Sequence, residues 1–356
     1  MNALNPPHTP WSRSTVLGIV LSLVVGVLVL AFSWPAITSE PRALPIVVAG
    51  PQEAVAPIAG ALAEQADGAF IVTPAEDRVA AVEAIETRTA YGAIVVDGGA
   101  TPPEVLYSTA ASPVAAQLLQ AVGAQLQQMV DAQLAAASQA TGQQLPAVEV
   151  AMTDVVPLLP TDPRGAGITA ATFPLVLGGM IGGIALTMAI SGVWRRVVAL
   201  LVYSIAGGLA IVAIMQGWFQ ALAGDYLLNA AAVGLTLLAI GATIVGFASV
   251  VGRAGVAIGP VLFLLIANPI AGATAPKEFL PEPWGAVGQW FPPGAGATLV
   301  RDLSYFPAAD TTFPWLVLAS WAVGGLLLAM VGHFRNAKAT EGLETPEPPE
   351  DAPAAA

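Results

Sequence analysis

Two long apolar runs dominate the pattern of hydrophobic and polar positions: ITAATFPLVLGGMIGGIALTMAISGV at 168–193 and VVALLVYSIAGGLAIVAIMQ at 197–216. Only Trp194, Arg195 and Arg196 separate them. Neither run contains a charge, and each reaches the ~20 apolar residues a helix needs to cross ~30 Å of hydrocarbon. A soluble helix keeps a polar face toward water, and these runs have none. They predict a transmembrane hairpin. Four further apolar runs cover 16–34, 226–251, 256–273 and 313–330, the third interrupted by Pro260 and the Asn268-Pro269 pair. The run at 16–34 exceeds the ~7–15 residues of a signal-peptide core and reads as an uncleaved span, closed by Trp34.

Between the first two spans the pattern changes. Leu44–Ala49, Ala69–Thr73 and Tyr91–Val96 are short, β-branched runs bounded by Gly or Pro, which predicts buried strands. Glu53–Gln65 and Glu76–Thr87 have helical spacing, so strand–helix–strand–helix–strand implies a small parallel sheet. Glu104–Ser108 reads as a fourth strand after the 98–103 turn, and Val148–Met152 as one more. From Pro113 to about Ala140 the positions Val114, Leu118, Val122, Leu126, Met129 and Leu134 recur on one face of a long helix that Gly142 ends.

The predicted architecture is a polytopic α-helical membrane protein, with six transmembrane helices and an exported α/β domain between spans one and two. Its parts are an N-terminal segment 1–15, a first span 16–34, an α/β domain 35–165 and a membrane domain 166–335 holding spans two to six. An aromatic-rich interfacial hairpin lies at 274–313, and a tail rich in Glu, Pro and Ala at 336–356 reads as disordered.

Composition agrees: 56% of residues are hydrophobic, only 10% are charged, and mean hydropathy is +0.72, against roughly 25% charged in soluble domains. The net charge of -12 excludes nucleic acid as a natural partner. With no cysteine there is neither a disulfide framework nor a thiolate metal site. Basic loops stay on the cytoplasmic side. Arg13, Arg195, Arg196, Arg253, Arg335 and Lys338 fall in short segments at one end of the spans, so both termini and the hairpin turn are expected inside a bacterial plasma membrane.

No catalytic set, metal site or cofactor motif emerges. His8 and His333 sit near opposite ends of the chain, and no GxxxxGK[ST] phosphate loop is present. Asp97-Gly98-Gly99 at a strand end is a common turn signal. Gly178, Gly179, Gly182 and Gly183 form two small-xxx-small pairs that let a helix approach, from the same bundle or from a second copy of the chain. Gln216, Asn229 and Asn268 are polar groups within or beside spans, suited to interhelical hydrogen bonds or to a substrate path. Trp194, Arg195, Arg196 and Arg253 mark the cytoplasmic turns and a partner contact; Trp284, Trp290, Phe291, Pro292, Pro293 and Arg301 mark the outer hairpin.

One span, a large exported α/β domain and then five spans resembles a type-2 ABC exporter permease, and most nearly the phage-infection-protein-like membrane proteins. The resemblance covers roughly residues 14–335 and is carried by LPIVVAG, FIVTPAEDRVAAVEAIE, YGAIVVDGG and LPEPWGAVGQWFPPGAGATLVRD. It implies a homodimer in the bilayer, served by separate ATP-binding subunits and exporting lipids, polysaccharides, peptides or drugs. Such permeases usually carry a longer cytoplasmic segment between their second and third spans than Gly192-Val193-Trp194-Arg195-Arg196. A non-transporting scaffold or receptor, whose exported domain binds an envelope partner or a phage component, is the other class that the architecture fits.

Overall fold

The computed structural model describes residues 9–65, 68–97 and 102–341. The segment before Thr9 with His8, the Gly98-Gly99 turn and the tail from Gly342 lie outside them. The chain forms two compact units, Met1–Pro157 with Leu264–Gln289, and Leu158–Phe263 with the residues from Trp290 on.

The first unit holds the sheet. Strands β1 (Leu44–Ala49), β2 (Phe70–Ala75), β3 (Gly92–Val95), β4 (Glu104–Tyr107) and β5 (Ala151–Asp154) lie in the order β2-β1-β3-β4-β5. The first three strands are parallel, as the intervening helices α2 (Gln52–Gln65) and α3 (Arg78–Glu86) require. β4 turns back antiparallel to β3, because residues 96–103 are too few for a crossover of a dozen or more. The helix α4 (Pro113–Thr141) supplies that length, and β5 accordingly runs parallel to β4, a few residues beyond the expected strand.

The strands read as unbroken apolar runs because both sheet faces are covered. Val47, Ala49, Ala93, Val95 and Leu106 pack with Ala81 and Ile85 of α3 on one side. Val48 and Ile94 meet Val55 of α2, and Ile46 and Val105 meet Leu119 of α4, on the other. Ser112 caps α4 by accepting from Ala115 N at 3.2 Å, and Gly142 ends it in the left-handed region (φ 66°) that glycine adopts without strain. Gln127 guides the chain into β5: its Nε2 donates to Val148 O and its Oε1 accepts from Val150 N.

The first apolar run forms α1 (Trp11–Thr38), longer than 16–34 at both ends and with no residue of its most apolar stretch buried. Trp34 meets Trp284 edge-on at 6.3 Å. The expected hairpin 274–313 is therefore not one piece. Its first half folds with the sheet and α1, where Glu278 accepts from the Tyr91 hydroxyl at 2.9 Å and Phe279 O accepts from Glu40 N. Its second half, from Trp290, belongs to the other unit.

The second unit is a helical bundle of α5 (Ala166–Ala189), α6 (Val193–Val212), α7 (Tyr226–Val251) and α10 (Thr312–Glu341), with α9 (Pro292–Tyr305) packed on α7 and α10. Short α8 (Trp284–Gly288) lies in the first unit. Among the described residues five helices are long and apolar enough to cross a bilayer: α1, α5, α6 with its extension to Trp218, α7 and α10 to Arg335. This is a helical membrane protein. The run at 256–273 forms a shorter helix, Arg253–Ala267, of 3-10 and π geometry.

At the start of β4 Arg78 grips Glu104 with two hydrogen bonds of 2.7 and 2.9 Å. The Arg78 guanidinium first, helped by the Thr153 hydroxyl, holds the Glu104 carboxyl below its ordinary range. A depressed carboxyl stabilises the fold above its unfolded value of ~4.3 and loses that contribution as pH falls through the lower folded value. Hydrogen exchange of β4 and β5 in the full-length protein should therefore rise below about pH 4. Glu104→Gln should start less protected at neutral pH and change less on acidification; equal acid responses would show that the pair contributes nothing.

Candidate functional site

The two ends of the bundle differ in charge. At one end α5 finishes, α6 begins and α7 and α10 finish. The turn there is Ile190–Gly192, so Trp194, Arg195 and Arg196 are not the turn itself but the first turn of α6. Cations are unfavourable at a helix N-terminus. Arg196 avoids the conflict by reaching back, its Nε donating to Ile190 O at 2.6 Å and satisfying an orphan carbonyl at the end of α5. Arg335 does the same for α7 by donating to Val250 O, and Arg253 lies exposed just past α7. Arginine side chains thus close helix C-termini at this end.

Acids cap the opposite end. Asp162 accepts from Ala166 N at 2.9 Å and Gly167 N at 2.7 Å and starts α5; Asp225 accepts from Leu228 N and starts α7. The Thr312 side chain first, and then Thr312 N, which donates to Asp310 at 2.9 Å, hold the Asp310 carboxyl below the ordinary range. Arg164 and Arg301 are the arginines near these caps.

Between the capped start of α5 and the end of α6 lies an apolar groove of about 590 Å³, within the ~300–1,000 Å³ typical of small-molecule sites. Ala170, Ala171 and Pro174 of α5 face Ile211, Ile214 and Met215 of α6 across it, with Phe219 and Ala221 beyond. Small side chains on α5 leave the space. On the other wall, residues Ala213–Trp218 continue α6 as a π-helix, in which Phe219 N donates to Ile214 O. Such widened turns recur at functional sites.

Only Thr161 and Asp162 bring polar side chains to the lining, both at the capped end. The Thr161 hydroxyl donates to Gln220 O at 2.6 Å, and Asp162 already accepts from two amides. Each retains only acceptor capacity. The neighbouring Tyr305 hydroxyl donates to Ala221 O at 3.3 Å; burial, then the Asp162 charge, pushes it above the ordinary tyrosine value, so it remains a neutral donor.

Gln216 and Asn229 are brought together at this same end. Asn229 Nδ2 donates to Gln216 Oε1 at 3.1 Å and Ala223 O at 2.7 Å, while Gln216 Nε2 donates to Gly224 O at 2.9 Å. They tie the π-helix to the loop before α7. Asn268 is not part of this group and sits in the first unit, its carbonyl accepting from Ala271 N. The expected outer-hairpin residues divide likewise. Trp284 joins Trp34, whereas Trp290 and Phe291 enter an aromatic cluster with Phe313 and Trp321, and Trp321 donates to Trp290 O at 2.8 Å. Pro292 and Pro293 are buried in the first turn of α9, and Arg301 lies half-buried farther along it.

The GGMIGG glycines face their own bundle, the first of the two packing roles expected of them. A methyl group at Gly178 would meet Leu237, at Gly179 Ile240, at Gly182 the Tyr203 ring and at Gly183 the Gly241 backbone. α6 and α7 already occupy the surfaces these glycines open. Three features of the site were not anticipated from sequence: Asp162 as the α5 cap, the π-helix, and Tyr305. The first had a signal, an aspartate shortly before a long apolar run; the second had none.

Among the described residues no three His, Asp or Glu side chains gather as a metal site. Compared with known protein families, curated proteins and solved structures, the chain matches none.

Because a Cβ at Gly183 would lie 3.0 Å from Gly241 Cα, Gly183→Leu should cost at least the ~1–3 kcal/mol typical of overpacking. Melting in detergent should show lower thermal stability at every protein concentration, with crosslinked oligomer unchanged among folded molecules. Selective loss of oligomer at unchanged melting would restore the interface reading.

Proposed function

We propose that the chain is the membrane permease subunit of an ABC-type exporter that moves an amphipathic or cell-envelope-related substrate outward. The observation that carries this reading is the α5–α6 groove, apolar along its length and polar only at its capped end, a shape suited to a molecule with a hydrocarbon body and a polar head. The resemblance in architecture supports it, and so do the five long apolar helices. In this reading the arginine-closed end is cytoplasmic, by the bias of basic residues toward inner segments. Both termini then lie inside, the short helix Arg253–Ala267 completes six spans, and the α/β domain lies outside. The working unit is a homodimer, and a separate ATP-binding subunit supplies all nucleotide hydrolysis.

One observation favours a second reading, a membrane scaffold or receptor whose exported domain binds an envelope partner. The α5–α6 connection spans only Ile190–Gly192, which gives an ATPase little to engage.

Mild-detergent purification separates the two. An ATP-binding subunit should accompany the full-length protein, with ATP turnover that the isolated chain lacks; repeated purification without either would refute the exporter.

Orientation has its own test, made clean by the absence of native cysteine. Cysteines at the exposed positions Glu86 and Ala308 should react with an impermeant thiol reagent in intact cells, and one at exposed Ser191 should not. The reverse labelling pattern would invert the topology.

A further inference from the structure

The α5–α6 groove also specifies the chemistry of what it holds. α5 and α6 are membrane-crossing helices by length and composition, so the fluid beside their groove is hydrocarbon rather than water. Its long walls, from Ala170, Pro174 and Leu175 across to Ile211, Ile214 and Met215, offer nothing but apolar contact. Trp218 and Phe219 are strongly exposed at the end of the π-helix, where aromatic residues mark the edge of the hydrocarbon. An acyl chain can therefore enter sideways without leaving the bilayer.

The polar end is more selective. Asp162 carries a negative charge and spends two acceptor positions on Ala166 and Gly167, leaving the remaining lone pairs of its carboxylate. Thr161 spends its only proton on Gln220 O. Two groups with acceptors alone, one of them an anion, repel a phosphate or carboxylate placed against them and attract an ammonium, which has three donors and no acceptor. In a phospholipid with an ammonium head the phosphate lies between the glycerol and the ammonium, and Arg164, exposed two residues beyond Asp162, is the cation nearest in sequence to meet it.

We propose that the groove binds one acyl chain of a membrane phospholipid whose ammonium head group, of the phosphatidylethanolamine class, is held by Asp162 and Thr161. This deepens the exporter reading by naming a substrate class, and rests on it only for the lipid being cargo.

The test measures binding, not transport. Full-length protein in nanodiscs or detergent would be titrated with phosphatidylethanolamine, and with phosphatidylglycerol of the same chains, and followed by native mass spectrometry. The ammonium lipid should bind about tenfold more tightly, a difference of ~1.4 kcal/mol. Ala170→Phe, which fills the groove, should lose both lipids, whereas Val202→Phe on the exposed face of α6 should lose neither. Asp162→Asn should keep chain binding and reduce the preference toward onefold; melting temperatures would confirm that each variant is folded.

Equal binding of the two lipids by wild type would overturn the head-group assignment. Unchanged binding in Ala170→Phe, or equal loss in Val202→Phe, would overturn the groove. A dimer that Ala170→Phe dissolves without any dependence on lipid would assign the groove to a second copy of the chain and also overturn it. Failure here leaves the exporter reading standing, since ATPase co-purification is independent of lipid choice.

Discussion

The membrane bundle depends on how closely three helices can approach the backbone of α7. Lipid tails are as apolar as leucine, so no hydrophobic drive pulls membrane helices together, and close packing has to supply the association. α7 is the most enclosed span, with 78% of its apolar window buried. A Cβ at Gly241 would crowd Leu200 of α6, one at Gly234 would lie 2.9 Å from Ser204 O, and one at Gly246 only 2.4 Å from Gly325 O of α10. From the other side Gly183, Gly208 and Gly325 bring α5, α6 and α10 against the α7 backbone. A helix apolar all around is one buried in a bundle or facing lipid. In α7 it is the small residues that distinguish the two.

Polar groups in this bundle are settled locally before they are settled between helices. Thr172, Thr187, Thr236, Thr243 and Ser249 each donate to the carbonyl four residues back, at 2.7–2.8 Å. A hydroxyl satisfied in this way lets a small side chain sit at an interface without an unpaired donor in hydrocarbon. The helix ends use charge instead: aspartates at the starts of α5, α7 and α10, and arginines over the ends of α5 and α7. Each follows the sign of the helix dipole. The resulting polarity along the bundle is thus first a device for ending helices, and the same arginines supply the charge bias from which orientation is argued.

Much of this was legible in the sequence because the signals were periodic or compositional. Five of the six expected spans stood out by length, and the first three strands by their β-branched runs. α4 stood out by the spacing of Val114, Leu118 and Val122 and by its Gly142 stop, which the structure confirms. What escaped depended on distance along the chain or on local winding. The reversal of β4 follows from the short connection at 96–103, a length effect rather than a residue effect. The division of the aromatic segment at Gln289 reflects contacts from Glu278 back to Tyr91 and from Trp284 back to Trp34, which no local pattern encodes. GGMIGG attracted notice as a compact motif, yet Gly234, Gly241 and Gly246, spread over α7, are the other half of the same packing. The π-turn at Ala213–Trp218 has no composition of its own, so the groove it widens was invisible although Gln216 within it was singled out.

The groove lies where it does because the α5–α6 hairpin is closed at one end and along its middle but not at the other. Arg196 pins the turn to Ile190 O, and the Tyr203 hydroxyl donates to Gly178 O at 2.7 Å, with the ring seated over Gly182. Beyond that point α5 presents Ala170, Ala171 and Pro174 to the groove, side chains too short to fill the space. Close approach returns at the capped end, where a Cβ at Gly167 would lie 2.5 Å from the Ala221 methyl and 2.9 Å from Asp162 Oδ2. The opening is therefore bounded by two fixed contacts rather than left by loose packing. In water such an apolar slot would tend to collapse; in a bilayer hydrocarbon fills it, so evolution can keep it open at little cost to the fold and tune its one polar end.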